Sequence, residues 1–401
     1  MSDNVDEELH LAPWARASAF PKKPEGYGPY GWKNLENEPQ DFYSLHDLGE
    51  AIENDPSTTG SAVWTPDSEH FVMAEEVPEL FKSVQKFRLA VAQDSFKDAL
   101  RNSGIFGAFA IWVFVANRDN IINQGWAGLG SHYMLVTTAL MLLLFGLHPL
   151  YEAWRSRKML SKLDEDSMAR LAREARFNNW LTYQNTPHTK ALTFLIIAIS
   201  LFAFWIHQQN PEVDKAELFL HLGAIQKPFQ GNYASLITAP LLHFNFVHLI
   251  MNSLAIWYLA RRVERLMRWP HVAPIFVASA LVGSLFTAFS GEGYSIGASG
   301  GAMGLLGALL VFEFMHPMLT PRSALRRLVT AVIMTFIMGV VGIEFIDNAA
   351  HLGGLLGGGA YAYLVFPANH SVRRPTATKA QEYLSWGAWT VLAFAALCVV
   401  F

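Results

Sequence analysis

The run Ser295-Ile-Gly-Ala-Ser-Gly-Gly-Ala-Met-Gly304 sets one hydroxyl, that of Ser299, among glycines in a stretch otherwise apolar enough to lie in lipid. A polar group in a bilayer must be satisfied or used, so Ser299 is a functional candidate on physical grounds. A serine becomes a nucleophile when a neighbouring base takes its proton, and histidine is the usual base at neutral pH. His351 offers such a base on another apolar segment, Asp347-Asn-Ala-Ala-His-Leu-Gly-Gly354. In His243-Phe-Asn-Phe-Val-His248-Leu-Ile-Met-Asn252, His248 and Asn252 stand four residues apart and share one face of a helix. An Asn amide, a His N–H or the Ser299 backbone N–H can donate to the oxyanion that develops in acyl transfer. The set reads as a nucleophile (Ser299), a base (His351) and oxyanion donors (Asn252, His248).

Lipid-spanning segments must carry these residues, and the composition says the chain has them. With 52% hydrophobic and only 16% charged residues over 401, it is too apolar for an ordinary soluble protein. Apolar stretches of about 18 residues or more are expected near 132–149, 188–207, 241–260, 271–290, 295–315, 326–343, 347–366 and 384–401, with a shorter one at 103–117. Residues 1–80 hold 17 acidic against 4 basic residues, a net of −13, and the remainder is +9. That split reads as an acidic soluble domain on a membrane body whose basic residues sit in its loops. Its charge disfavours nucleic acid and anionic lipid as partners of the domain, since both are polyanions. The sole cysteine, Cys398, excludes an intrachain disulfide and a cysteine metal cluster. No cofactor or metal is expected, and no cleavable signal peptide is expected at Met1 to Glu8.

Basic residues favour the cytoplasmic side of short loops. Arg155, Arg157 and Lys158 follow the second stretch, Arg261, Arg262, Arg265 and Arg268 close the fourth, Arg322, Arg326 and Arg327 follow the sixth, and Arg373 and Arg374 follow the eighth. The N-terminal domain is then cytoplasmic and the C-terminus external. Ser299, His351, His248 and Asn252 fall at one depth near the outer face. For Ser299 to meet His351 their helices must approach closely, which small residues permit. Gly297, Gly300, Gly301, Gly304 and Gly307 on one, with Gly353, Gly354, Gly357, Gly358 and Gly359 on the other, supply them.

With these residues the chain resembles the rhomboid intramembrane serine proteases. Gly297-Ala-Ser-Gly300 is similar to their GxSG, His248 to Asn252 to their HxxxN, and Ala350-His-Leu-Gly-Gly354 to the helix of their catalytic histidine. The resemblance covers about 188–366. It implies a Ser299 and His351 dyad without a required third acid, an oxyanion site of Asn252 and His248, and cleavage of transmembrane protein substrates near their outer ends. It also implies lateral substrate entry past the span at 326–343. One departure lies before the Leu236-Ile-Thr238 stretch, where Ala234 and Ser235 replace a Trp-Arg pair that many bacterial members carry.

The expected fold is an all-α polytopic membrane protein, a rhomboid-like six-helix bundle with extra transmembrane helices and a small α+β soluble N-terminal domain. Residues 1–100 form the acidic cytoplasmic domain, and 101–187 the accessory spans and a basic amphipathic linker, whose stretch 150–187 is expected as a helix along the membrane. Residues 188–366 form the protease core, and 367–401 a linker and final transmembrane helix. Within the first domain, 26–85 resembles GYF-type modules in its Gly-Pro turn, short helix and Val63-Trp64 strand; its partner is left open. A multi-pass location in a bacterial plasma membrane follows as an expectation, with the lipid bilayer as environment.

Competing readings carry different signatures. The run Gly297 to Gly301 fits the G-x-S-x-G elbow of α/β hydrolases, which needs a strand before it and a helix after it. Absence of H-E-x-x-H argues against a zinc intramembrane protease, and paired aspartates are missing from the spans. His243 is expected to stabilise its loop, His316 to be interfacial, Glu344 to be solvated, and Asp347 either to orient His351 as in a triad or to be an outward loop charge. A non-proteolytic relative that holds transmembrane clients is the alternative function, and presence of both dyad members is what separates the two.

Overall fold

The computed structural model describes residues 10–33, 39–54, 62–119, 122–123, 138–139, 141–162, 164–183, 185–341 and 346–401. These fall into two compact units, one mainly 14–183 and the other mainly 184–335 with 344–401. The first part of the stretch expected at 132–149, and Glu344, lie outside the described residues.

The first unit opens with a small antiparallel sheet of β1 (Tyr30–Lys33), β2 (Gln40–Phe42), β3 (Ala62–Trp64) and β4 (Val72–Met73) in the order β2-β1-β3-β4. Helix α1 (Leu45–Asn54) packs Leu48 and Ile52 against Trp32 and Val63. Helix α2 (Phe81–Ala116) then runs unbroken through residue 100. Its first turns, Val84 and Phe87, close the core of the sheet, and its last turns expose Phe109, Ile111 and Trp112, as a lipid-facing segment would. A π-helical turn (Leu142–Leu147) leads into α3 (His148–Leu160), and α4 (Glu165–Tyr183) follows. The stretch 150–187, expected as one helix on the membrane, is thus two. Asp164 ends the continuity by accepting the Ser167 N–H at 2.8 Å, the position and chemistry of a helix cap. Leu160, Met168 and Leu171 join the core of the sheet. Arg176 binds the carbonyl of Ala15 at 2.8 Å and pairs with Glu76 at 3.1 Å. Burial pushes the Glu76 carboxyl up, and the Arg176 guanidinium pulls it back.

The second unit is helical. It comprises α5 (Pro187–Gln209), α6 (Lys215–His221), the short α7 (Ser235–Thr238), α8 (Phe246–Leu266), α9 (Val272–Ala288), α10 (Ser299–Met315), α11 (Arg322–Val341, whose end belongs to the first unit), α12 (Asn348–Val365) and α13 (Lys379–Val400). One two-stranded ribbon, β5 (Ile225–Lys227) with β6 (Gly293–Ser295), pairs Ile225 with Ser295 and Lys227 with Gly293. Five of the described helices are long and apolar enough to cross a membrane, or six when the bent pair Ser235–Leu241 and Phe246–Leu266 is taken as one span. The protein is therefore a multi-pass helical membrane protein with a small N-terminal sheet.

Helices α9, α10 and α12 form the tightest group. A Cβ on Gly354 would stand 2.0 Å from the carbonyl oxygen of Gly300, and one on Gly358 would stand 1.9 Å from that of Gly304. Only backbone fits between α10 and α12 at these points, the arrangement small residues permit in lipid. At the other end of the unit, Glu264 of α8 accepts the Thr189 N–H at 2.8 Å and its hydroxyl at 2.7 Å, satisfying free donors at the start of α5.

Candidate active site

Four local devices bring the expected residues together. The first is the turn ahead of α10. Strand β6 delivers the chain to Gly297, which has φ of +132°, a conformation that side chains strongly disfavour. Its N–H is held by the carbonyl of Ala239 at 3.0 Å. The turn sets half-buried Ser299 as the first residue of α10, where the backbone N–H groups lack intrahelical acceptors and the helix dipole is positive.

The second device is the start of α8. Asn245 caps it by accepting the His248 N–H at 2.8 Å, which places His248 in the first turn and Asn252 one turn below. Both reach the Ser299 turn. A Cβ on Gly297 would lie 2.9 Å from His248 Nε2 and 3.7 Å from Asn252 Nδ2, so the imidazole and the amide stand directly over that glycine. The want of a side chain at 297 is therefore a steric requirement as well as a conformational one.

The third is the start of α12. Asp347 caps this helix through the Ala350 N–H at 3.0 Å, and its carbonyl accepts the His351 N–H at 3.0 Å. His351 lies in the first turn, and Ala350 beside it faces Gly300: a Cβ on Gly300 would be 3.4 Å from the Ala350 carbonyl oxygen. The Ser299–Gly300 and Ala350–His351 steps thus run side by side. Ser299 Oγ and the His351 ring form no hydrogen bond among the described residues, and His351 Nδ1 and Asn252 Nδ2 are buried without protein partners. The four residues singled out by sequence, Ser299, His351, His248 and Asn252, converge on one place.

The fourth device involves His243. This residue is fully buried, its Nε2 accepts the Ala298 N–H at 3.4 Å, and its Nδ1 lies 2.8 Å from Ser200 Oγ. Since Nε2 accepts, Nδ1 carries the proton and donates to Ser200, whose own hydroxyl donates to the Leu241 carbonyl at 2.9 Å. His243 holds the residue just before Ser299, and its ring sits edge-on to His248 at 5.0 Å. Ser200, Thr287 and Ser295 also support the site, and nothing in their local sequence marks them.

Asp347 makes no hydrogen bond to the His351 ring among the described residues. Its Oδ2 accepts from Ser295 Oγ at 2.5 Å and from Thr287 Oγ1, and its Oδ1 takes the cap N–H. No metal-binding group of three or more His, Cys, Asp or Glu side chains occurs among the described residues. The α/β-hydrolase elbow also fails on context, because the strand before the turn belongs to a two-stranded ribbon and not to a central sheet.

Comparison with known proteins shows what this region is similar to. Residues 230–368 match the family model of the rhomboid domain, a segment that contains all four converging residues. The chain is 30% identical over 187 residues to "Rhomboid protease GluP" of Bacillus subtilis (strain 168), covering 46% of this chain and 36% of that protein. It is 32% identical over 170 residues to "RHOMBOID-like protein 6, mitochondrial" of Arabidopsis thaliana, covering 41% and 55%, and 30% identical over 142 residues to "RHOMBOID-like protein 5" of the same plant, covering 34% and 46%. The matched region thus spans about a third to a little over half the length of these relatives. Over residues 230–368 the chain is similar to the rhomboid domain and to rhomboid-family proteins.

Proposed function

We propose that this protein is an intramembrane serine endopeptidase that cuts transmembrane segments near the outer face of the bilayer. One observation carries the reading: the side-chain donors Asn252 Nδ2 and His351 Nδ1 are buried, unpartnered and gathered with His248 at the turn that starts α10. Leaving a buried polar group unpaired costs about 1–3 kcal/mol. Two such groups beside a serine at a helix N-terminus suit a site whose partner is a reacting substrate.

In this reading His351 accepts the Ser299 proton as Oγ attacks the scissile carbonyl. The tetrahedral oxyanion is held by the Asn252 amide, the His248 ring and the Ser299 N–H, with the dipole of α10 behind it. His351 then gives its proton to the leaving amine, the C–N bond breaks, and an ester to Ser299 remains. Water attacks that ester with His351 again as base, releasing the acid and restoring the hydroxyl. The want of a Ser299 to His351 hydrogen bond is no obstacle, since catalytic hydrogen bonds are often long in ligand-free sites and tighten around substrate. The substrate is a transmembrane protein and the N-terminal domain is cytoplasmic, where it meets a separate partner.

Fluorophosphonate labelling of the detergent-purified protein tests the reading. Wild type is expected to react covalently, and Ser299→Ala and His351→Ala to lose the label while keeping the wild-type melting transition. A folded wild-type protein that takes no label would favour the client-holding alternative instead.

A further inference from the structure

We propose that Asp347 is a positioning residue that keeps the His351 helix in register with the Ser299 turn, acting through Thr287 and Ser295 and not through the imidazole. The proposal rests on the reading of Ser299 and His351 as the catalytic pair. One carboxylate here joins three elements. Oδ1 caps α12 through Ala350 N–H, one residue before His351. Oδ2 accepts from Thr287 at the end of α9 and from Ser295 at the end of β6, four residues before Ser299. Lys227 of β5, paired in the ribbon with Gly293, brings its ammonium to 3.9 Å and offsets the charge.

Asp347 makes no hydrogen bond to the base among the described residues. Its oxygens are used by two hydroxyls and one amide, and His351 Nδ1 has no hydrogen-bond partner among the described residues. Yet the carboxylate bonds both to the segment leading into Ser299 and to the start of the helix that carries His351. Between them α10 and α12 meet backbone to backbone, where Gly354 admits no side chain against Gly300. Such a contact sets how close the helices come, but it holds few polar bonds to set how one slides along the other. Asp347 supplies bonds with direction at the end where the chemistry sits. A shift of about 1 Å in a reacting group can slow a reaction about 100-fold.

The test uses the full chain in detergent and reads the rate of fluorophosphonate labelling against pH. Asp347→Ala is expected to slow labelling about 10- to 100-fold; the midpoint of the pH profile is read on the hydroxyl pair, Thr287→Val with Ser295→Ala, which keeps the carboxylate, and should not move there. This pair is expected to slow labelling comparably, and adding Asp347→Ala to it to change the rate by no more than about twofold, because one linkage is being removed twice. Asp347→Asn keeps Oδ1 for the cap but lacks the second acceptor. It should melt like wild type and still label slowly, which keeps the test valid if Asp347→Ala fails to fold. Wild-type labelling by both Asp347 variants, effects that multiply independently, or a displaced midpoint in the hydroxyl pair would each overturn the proposal. Ser299→Ala runs in parallel: label retained there sinks the catalytic reading itself, whereas a silent Ser299→Ala beside a wild-type-like Asp347→Ala sinks only the positioning role.

Discussion

Asn252 is only 7% exposed, and its Nδ2 donates to nothing among the described residues. A donor held dry and unsatisfied acts on charge that develops during reaction, so Asn252→Ala should lower turnover of a transmembrane substrate about 100-fold or more. The melting temperature should hardly move, because no native hydrogen bond is lost. A large loss of stability with unchanged turnover per folded molecule would assign Asn252 to packing. A different residue-scale expectation attaches to Arg262 and Glu313, which meet through two bonds of 2.6 Å with side chains 1% and 0% exposed. Removing one partner strands a buried charge, at a cost of about 3–5 kcal/mol. Glu313→Leu alone should therefore lower the denaturant midpoint far more than Glu313→Leu combined with Arg262→Met. Equal or additive losses would show that the pair is not coupled.

Helices α10 and α12 approach until only glycine fits. Gly354→Ala would thrust a methyl group to 2.0 Å from the Gly300 carbonyl oxygen, in backbone that cannot step aside as a side chain can. It should cost about 1–3 kcal/mol and slow labelling of Ser299 by parting the two helices that carry the proposed dyad. Gly387 of α13 makes the control. A Cβ there meets nothing within 4 Å, so Gly387→Ala should be neutral or up to about 1 kcal/mol stabilising, as alanine is in a helix interior. Thermal melting of the two variants side by side checks both, and equal melting would refute the close-approach argument. The glycines of both helices were legible in sequence as a close-packing pattern. Which of them touch was not, since Gly300 with Gly354 and Gly304 with Gly358 are set by the crossing of the two helices.

At the scale of the whole molecule, the basic loops predict sidedness. Cys398 is the only cysteine, so Cys398→Ser gives a background in which single cysteines report topology. With the site at the outer face, Glu292→Cys in the turn before β6 should react with an impermeant maleimide in intact cells. Arg373→Cys, beyond α12, should react only after permeabilisation. The reverse pattern would invert the chain in the membrane and place the Ser299 turn on the cytoplasmic side. The N-terminal module has its own lesson. Its sheet was visible in Val63-Trp64 and the Gly-Pro turn, but its core also takes Leu160, Met168 and Leu171, whose helical spacing read as a face for the membrane. An amphipathic stripe reports that it will be covered, and does not report by what.

From sequence alone, the class of protein, the family resemblance and Ser299, His351, His248 and Asn252 as candidate site residues could be read. Each depends on a local fact: an apolar run, a spacing of four on a helix, a serine among glycines. The two possibilities left open for Asp347 shared the same local sequence, and its fate turned on Thr287 and Ser295, residues from α9 and β6 that stand 60 and 52 positions away. The same holds for His243, whose hold on the Ala298 amide crosses 55 positions. Hydrogen bonds of this length have no periodicity and no motif. They exist because helices whose apolar and small faces must be buried come to rest in one arrangement, and only then does a given oxygen find its donor.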